Sequence, residues 1–146
     1  MATWLITGCS TGFGRELASA VLARNWNAVV TARDPATIQD IVAGHDVSAL
    51  ALRLDVTDPK QVASAVKEAE ARFGAIDVLV NNAGYGYRGA VEEADETEVR
   101  ELFETNFFGL VSMIQAVLPG MRAHRRGHIV NISSVAGRMA QPGSGY

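Results

Sequence analysis

The sequence lacks the features that mark several classes of protein. One residue of 146 is cysteine (Cys9), so no internal disulfide can form, and this cysteine usage favours a reducing, cytoplasmic setting. The formal charge of −3 leaves no basic footprint for nucleic acid. The longest apolar run, Phe107 to Leu118, contains Ser112 and Gln115 and is shorter than the roughly 20 residues that span a bilayer. We therefore expect neither a nucleic acid nor a membrane partner.

Histidines are also few, and their positions argue against a bound metal. His45, His124 and His128 fall in predicted loops or at helix ends, and neither cysteine nor paired carboxylates accompany them. We expect all three at the surface and no metal site. The basic residues from Arg122 to His128 end a predicted helix, where they complement its dipole. The first predicted strand begins almost at Met1, so we expect no signal peptide before it.

Glycine, by contrast, is concentrated at an informative place. An apolar stretch is joined to a helical one by the run Thr7-Gly8-Cys9-Ser10-Thr11-Gly12-Phe13-Gly14. The three glycines permit a tight turn that approaches a bulky anion, and the helix N-terminus offers free N–H groups to a phosphate. The run therefore predicts a diphosphate cradle, lined in part by the Ser10 and Thr11 hydroxyls. An ordinary glycine-rich turn is the alternative, and a P-loop is excluded because no Gly-Lys-Ser/Thr follows.

Short apolar segments alternate with helical ones along the whole chain. We predict strands near Thr3–Thr7, Asn27–Ala32, Ala49–Asp55, Val78–Asn81 and Gly127–Ile132. We predict helices near Gly12–Arg24, Pro35–Ala43, Pro59–Phe73 and Asp95–His124. This succession indicates an α/β fold, a single Rossmann-type domain over residues 1–146 with a doubly wound parallel sheet of about five strands in the order 3-2-1-4-5. The strands should be covered on both faces, and a ligand should lie over their carboxyl ends between strands 1 and 4.

Polar segments follow each predicted strand, as a cleft at that edge requires. Arg33 comes directly after the second strand, where the adenosine ribose of a dinucleotide lies. A guanidinium there favours a 2′-phosphate over free ribose hydroxyls, so we expect NADP rather than NAD. Asp34 leaves two alternatives open, because it can pair with Arg33 or accept hydrogen bonds from the ribose itself. A plain surface Arg-Asp turn is a third.

Two more segments are candidates for cofactor contacts. Asp55, followed by Val56, ends the third strand, where its carboxylate can accept from an adenine amino group or cap a turn. The fourth strand is followed by Asn81, Asn82, Ala83 and Gly84. The amides can bond neighbouring strands while the small residues let the backbone touch the cofactor. A plain Asn-Gly-type loop is the alternative for this segment.

One amide interrupts the apolar pattern of the last predicted helix. Asn106 falls on a stripe, spaced by three and four residues, that comprises Val99, Leu102, Phe103, Phe107, Leu110, Ile114, Val117 and Leu118. A buried amide without partners costs roughly 1–3 kcal/mol, so Asn106 should meet a polar partner, water or ligand. A satisfied structural asparagine is the alternative. Ser133 and Ser134 should leave the fifth strand into the cleft, where a hydroxyl can hold a substrate oxygen.

These motifs together resemble the short-chain dehydrogenase/reductase family over nearly the whole chain. The resemblance is carried by Thr7-Gly8-x-x-x-Gly12-x-Gly14, Asp55, Asn81-Asn82-Ala83-Gly84, Asn106 and Ser134-Val-Ala-Gly137. It implies hydride transfer between a nicotinamide and an alcohol, ketone or aldehyde, in proteins that form homo-oligomers at full length. It also implies that the glycines hold the pyrophosphate, that Ser134 orients the substrate oxygen and that Asn106 holds a water in a proton relay.

The resemblance further implies a catalytic Tyr-x-x-x-Lys pair, which this sequence does not contain. The chain ends at Tyr146 and is truncated relative to the family, and the count from Ser134 favours Tyr146 as a neighbour of the catalytic tyrosine. We therefore expect little or no turnover. A non-catalytic dinucleotide-binding module is the alternative function, and a Rossmann methyltransferase would leave Asn106 without a role. The substrate is not determined, although the loop Tyr85–Gly89 can line the cleft entrance.

Overall fold

The fold is built on one parallel sheet. A computed structural model describes residues 1–139, 142–143 and 145–146. In this part of the chain the strands are β1 (Thr3–Ile6), β2 (Asn27–Ala32), β3 (Ala49–Arg53), β4 (Val78–Asn81) and β5 (His128–Asn131). Their order is β3-β2-β1-β4-β5, and each neighbouring pair is parallel. This order confirms the prediction and places the topological switch point, where the strand order reverses, between β1 and β4.

The helices lie on both faces of this sheet. They are α1 (Gly12–Ala23), α2 (Gln39–Val42), α3 (Pro59–Phe73), α4 (Glu96–Phe103) and α5 (Leu110–His124). A π-helical turn, Glu104–Gly109, joins α4 to α5 without a break. By length and composition alone the continuous helix Glu96–His124 could cross a membrane, which is weak evidence because core helices also meet those criteria. The absence of a membrane partner therefore remains an expectation.

Alternation along the strands supplies two apolar layers. Leu5, Val29 and Leu79 face α3 and α5, whereas Ile6, Val30 and Val80 face α1. All six are fully buried. Burying each such side chain contributes roughly 1.5–3 kcal/mol, so these two layers hold the sheet and fix the edge at which the polar segments emerge.

Two expectations about the elements were wrong. The segment Pro35–Ala43 is not one helix but a 3₁₀ turn, Pro35–Ile38, followed by the single turn α2. The reason is local, because the main-chain N–H of Thr37 bonds the carbonyl of Asp34, three residues back. Strand β5 is not covered on both faces, since it forms the sheet edge and leaves Val130 40% exposed.

Aspartate side chains cap two of the helices, α3 and α4. The Asp58 carboxylate accepts from the Gln61 side chain and from the N–H groups of Lys60 and Gln61, and these bonds lower its pKa. Asp95 caps α4 by accepting from the N–H of Thr97 at 2.8 Å and of Glu98 at 3.1 Å. The reciprocal bond of a capping box is replaced, because the N–H of Asp95 instead donates to the hydroxyl of Tyr87.

Asp77 ties three strands together at the amino end of the sheet. Its Oδ2 accepts from the N–H of buried Thr3 at 2.9 Å, and its Oδ1 pairs with Nε of Arg126 at 2.9 Å. Its main chain bonds the carbonyl of Thr3 and the N–H of His128. The Asp77 side chain is 17% exposed and that of Arg126 is 67% exposed. The bond to Thr3 should therefore contribute more to stability than the ion pair.

Asp77→Ala should lower the free energy of unfolding by about 1–3 kcal/mol, because the buried N–H of Thr3 loses its acceptor. Arg126→Ala should cost about 0–1 kcal/mol, because the ion pair is largely exposed to solvent. Urea denaturation of both variants beside the parent chain measures the difference. Equal losses for the two variants would contradict this account.

Candidate functional site

A reciprocal set of hydrogen bonds joins the carboxyl ends of β1 and β4. The buried hydroxyl of Thr7 donates to the carbonyl of Val80 and accepts from the N–H groups of Asn82 at 3.0 Å and Ala83 at 2.9 Å. In return, Nδ2 of Asn82 donates to the carbonyls of Thr7 and Gly8, both at 2.9 Å. We call this set the Thr7–Asn82 clamp. It fixes the glycine turn against the segment that follows β4.

The clamp explains two of the three glycines. A Cβ at Gly8 would lie 2.8 Å from the Cα of Ala83, and a Cβ at Gly14 would lie 2.5 Å from the carbonyl oxygen of Gly8 and also clash with Nδ2 of Asn82. Gly12 instead has open space around it, and its φ of +61° is what favours glycine. Gly14 is therefore required by close packing, Gly12 by its backbone conformation, and Gly8 by both, since its φ is +69°.

The first turn of α1 is open to an anion. Thr11 precedes the helix in extended conformation, its side chain makes no capping bond among the described residues, and the first turn has no acidic side chain. Ser10, Thr11 and Phe13 are exposed beside it, Phe13 by 80%. Uncapped N–H groups and the helix dipole favour negative charge at this position, as the glycine pattern predicted.

A cleft of about 1290 Å³ lies at the carboxyl edge of the sheet. Ten of the residues predicted to bind a cofactor line it: Gly8, Ser10, Thr11, Phe13, Arg33, Asp55, Val56, Asn82, Ala83 and Gly84. Gly12 and Gly14 are not among the lining residues, although they shape the turn. The volume exceeds the 300–1,000 Å³ typical of drug-sized ligands, so the cleft accommodates a longer molecule.

The turn after β2 separates the roles of Arg33 and Asp34. The Asp34 carboxylate accepts from the N–H of Ala36 at 3.0 Å and so caps the 3₁₀ turn that follows. Arg33 is exposed, lines the cleft and forms no ion pair within the part of the chain that the structure describes. An Arg33–Asp34 pair is therefore not observed, and the guanidinium is available to an anionic ligand.

The segment after β3 has a local role in addition to its place in the cleft. Oδ1 of Asp55 accepts from the N–H of Thr57 at 3.0 Å and from its hydroxyl at 2.7 Å, so the turn-capping alternative is present. An adenine contact for Asp55 remains a prediction. Val56 is buried against Gly109, where a Cβ would lie 2.6 Å from Cγ2 of Val56. The long helix therefore passes very close to this end of the sheet.

Asn106 meets polar partners, but not in the buried setting expected. It is exposed within the π-helical turn, as is Phe107 at 53%, and Phe103 at the end of α4 is 47% exposed. The predicted stripe was therefore wrong at this point, because a π turn holds more residues than an α turn and shifts the following side chains around the axis. The Oδ1 of Asn106 accepts from the N–H of Tyr85 at 3.1 Å, and its Nδ2 donates to the carbonyl of Tyr85 at 2.7 Å.

Asn106 therefore holds the backbone of the loop after β4, which corresponds to the structural alternative. Its Oδ1 would also lie 2.9 Å from a Cβ built at Gly84, so glycine is needed there for close approach. A role for Asn106 in a proton relay remains a prediction. The sequence offered no signal for Tyr85 as the partner, because the bonds go to the main chain of a residue 21 positions away.

The two residues expected near the reacting atoms lie outside the lined cleft. The Ser134 hydroxyl accepts from the N–H of Ala136 at 3.1 Å and caps a 3₁₀ turn, Val135–Gly137. Tyr146 borders a separate groove of about 430 Å³, with its ring edge against Tyr87 and its hydroxyl 3.5 Å from the carbonyl of Val91. Catalytic roles for Ser134 and Tyr146 are therefore not supported by proximity to the cleft.

Sequence reasoning missed most of the opposite cleft wall. The missed residues are Glu98, Glu101, Glu104 and Thr105, which lie beside Tyr85 and Tyr87 of the suggested loop. Among the described lining residues Arg33 is the one cation, and it lies beyond β2 on a different segment from these glutamates. The long-helix pattern contained the signal, because Glu98, Glu101 and Thr105 recur at helical spacing, but nothing in the sequence indicated which face they present.

Cys9 within the glycine turn is inert by its surroundings. It is fully buried, its Sγ donates to the carbonyl of Ile6 at 3.3 Å, and burial raises the pKa of the thiol to about 12. A thiol with that pKa stays protonated at neutral pH, and the thiolate is the nucleophilic form. Cys9 therefore fills space beneath the turn.

Comparison with known proteins gives one consistent result. Residues 2–146 match the family described as short chain dehydrogenase. The chain is 44% identical to oxidoreductase calM of Penicillium decumbens over 152 residues, covering 99% of this chain and 50% of the relative. It is 43% identical to a 3-ketodihydrosphingosine reductase of Bacteroides thetaiotaomicron, covering 97% and 50%. The chain spans about half the length of the curated relatives it matches.

Solved structures agree. A short-chain dehydrogenase from Streptomyces avermitilis superposes with a TM-score of 0.94 at 42% identity, covering 99% of this chain and 54% of that one. A gluconate 5-dehydrogenase from Burkholderia cenocepacia, solved with NADP and tartrate, gives a TM-score of 0.90 at 32% identity, covering 99% and 58%. The sheet and the clefted edge described above therefore have close counterparts among proteins of this kind.

The glycine pair Gly14 and Gly12 provides a matched test of the clamp. Gly14→Ala should lower the free energy of unfolding by about 3 kcal/mol, because the added methyl overlaps the Gly8 carbonyl and the Asn82 amide. Gly12→Ala should cost about 1–2 kcal/mol, which is the cost of a positive φ in open space. Urea denaturation followed by circular dichroism measures both. A larger loss for Gly12→Ala would show that the clamp does not dictate the pattern.

Proposed function

We propose that this chain, which belongs to the short-chain dehydrogenase family, binds NADP(H) for hydride transfer between the nicotinamide and an alcohol, ketone or aldehyde. The observation that carries the proposal is the cleft edge itself, where the clamped glycine turn, the uncapped start of α1 and the segment after β4 meet. Each of these three elements suits one part of a dinucleotide. That the protein shares the activity and substrate class of its longer relatives is part of this proposal.

The residues present fit the cofactor. A diphosphate needs a close approach of the backbone and free N–H donors, and the glycine turn with α1 offers both. The diphosphate would be held by Gly8, Ser10, Thr11, Gly12, Phe13 and Gly14. The adenine would lie against Asp55 and Val56, and the adjoining ribose against Asn82, Ala83 and Gly84. When bound, the nicotinamide supplies the hydride acceptor or donor. A neighbour of this fold was solved with NADP.

NADP is favoured over NAD by the charge pattern after β2. The Asp34 carboxylate, which would otherwise favour free ribose hydroxyls, is engaged with the N–H of Ala36. Arg33 is left exposed to the cleft. A guanidinium can form bidentate, charge-assisted bonds to a 2′-phosphate, so Arg33 is the residue that would discriminate between the two cofactors.

The residues expected near the nicotinamide do not supply all the groups that the family chemistry requires. Asn106 would hold the loop at Tyr85. Ser134, whose hydroxyl accepts from the N–H of Ala136 and keeps its own proton to donate, does not line the described cleft. The two lysines of the sequence, Lys60 and Lys67, both belong to α3, and neither lines the described cleft. A tyrosine without such a partner keeps its pKa near ~10 and is a poor base at neutral pH.

A non-catalytic dinucleotide-binding module is therefore the second candidate, favoured by the position of Ser134 outside the residues that line the described cleft. Both candidates include a cytoplasmic location, no metal, and no nucleic acid partner for a chain of formal charge −3. We also propose that full-length relatives form homo-oligomers.

Arg33→Ala should raise the Kd for NADPH by about 10- to 100-fold, because charge-assisted bonds to the 2′-phosphate contribute about 1.5–3 kcal/mol. The Kd for NADH should stay within about twofold. Isothermal titration calorimetry measures both cofactors, and Arg24→Ala, at the far end of α1, is the control for loss of one charge. A parent chain that binds NADH more tightly, or binds neither nucleotide, would refute the NADP assignment.

The 146-residue chain should bind NADPH yet transfer its hydride to a panel of ketones and aldehydes at a rate near the assay background. The reason is that no lysine stands beside a tyrosine in the cleft to lower its pKa. Loss of NADPH absorbance at 340 nm gives the measurement, and a family member with its Tyr-x-x-x-Lys pair serves as the positive control. Robust turnover would contradict the expectation and exclude the non-catalytic module.

A further inference from the structure

Arg15 links the start of α1 to the segment after β2. Its Nη1 donates to the carbonyl oxygen of Thr37 at 3.0 Å, and its Nη2 pairs with the carboxylate of Asp40. The described cleft wall includes Arg33 but not Arg15. Arg15 therefore joins the helix that begins at the glycine turn to the 3₁₀ turn that follows Arg33, without itself reaching the cleft.

The bonded chain continues from Thr37 to the neighbour of Arg33. The hydroxyl of Thr37 donates to the carbonyl of Asp34 at 2.7 Å, and its N–H donates to the same oxygen at 3.2 Å. The Asp34 carboxylate accepts from the N–H of Ala36. Anchoring Thr37 thus keeps the whole turn in the conformation in which Asp34 is engaged and Arg33 alone faces the cleft.

The exposure of the ion pair indicates that stability is not its main contribution. The Arg15 side chain is 30% exposed and that of Asp40 is 66% exposed. Exposed pairs of this kind contribute only about 0–1 kcal/mol to folding. Arg15, however, lies on the helix whose start would hold the diphosphate, and Asp40 lies on α2, which continues the 3₁₀ turn that follows Arg33.

We propose that Arg15 is a positioning residue for cofactor discrimination. By holding Thr37, it fixes the turn that presents Arg33, so the guanidinium of Arg33 stands ready for a 2′-phosphate while the diphosphate occupies the start of α1. This inference rests on the proposed function, since it takes NADP as the ligand. Loss of Arg15 should affect the ligand with the 2′-phosphate and spare the one without it.

The test is a double-mutant cycle on the 146-residue chain, with Kd for NADPH and NADH measured by calorimetry. Arg15→Met should raise the Kd for NADPH about tenfold and leave that for NADH within about twofold. In the Arg33→Ala background, Arg15→Met should add no further loss, because it acts through Arg33. Arg24→Met is the matched control, as Arg24 is an exposed arginine at the opposite end of α1 whose side chain bonds only the carbonyl of Ala20 among the described residues.

Arg15→Lys keeps the charge but loses the two-pronged contact, so it should weaken NADPH binding in the same direction. It also carries the cycle if Arg15→Met fails to fold, which circular dichroism would reveal. Equal weakening of NADPH and NADH, or additive losses in the Arg33→Ala background, would overturn the inference in favour of a general charge or folding effect.

The same titrations separate the two levels of the proposal. If the parent chain takes up no NADPH, the proposed function and the Arg15 inference both fail. If NADPH binds and Arg33→Ala leaves its Kd unchanged, the role of Arg33 and the Arg15 inference fail while cofactor binding stands. If NADPH binds through Arg33 and the Arg15 variants leave the ratio of the two Kd values unchanged, the Arg15 inference alone fails.

Discussion

The Thr7–Asn82 clamp is the interaction on which the functional edge of this protein depends. The buried hydroxyl of Thr7 accepts hydrogen bonds from the main chain after β4, and the side-chain amide of Asn82 donates to the main chain after β1. Leaving such buried groups unpaired costs about 1–3 kcal/mol each, so the glycine turn has little freedom to move. The close contacts at Gly8 and Gly14 follow from it, since a side chain at either position would enter the space the clamp occupies.

The cleft that results is electrically divided. Arg33 stands beyond β2, whereas the glutamates of the helical wall, Glu98, Glu101 and Glu104, come from the start of the long helix. The engaged Asp34 carboxylate sharpens this division by leaving Arg33 to face ligand. An anionic ligand is therefore favoured at the glycine turn and the end of β2, and disfavoured along the glutamate wall.

The sequence predicted the fold closely because its signals are local. Short, continuous apolar runs identify strands, glycine and proline mark turns, and a βαβ succession leaves few sheet orders. The observed order β3-β2-β1-β4-β5 follows from these rules. The errors arose where hydrogen bonds override periodicity: Asp34 and Thr37 convert a helix start into a 3₁₀ turn, and the π turn at Asn106 leaves Phe107 at the surface.

By itself, the sequence determined which segments meet at the carboxyl edge of the sheet, because parallel strands bring everything that follows them to one side. Only the tertiary structure decided what each residue does there. The partners of Thr7 and Asn106 lie 75 and 21 residues away. Gly14 serves internal packing, Gly12 serves conformation, and Gly8 serves both. Such pairings depend on how the strands align in space, and no pattern along the chain records that alignment.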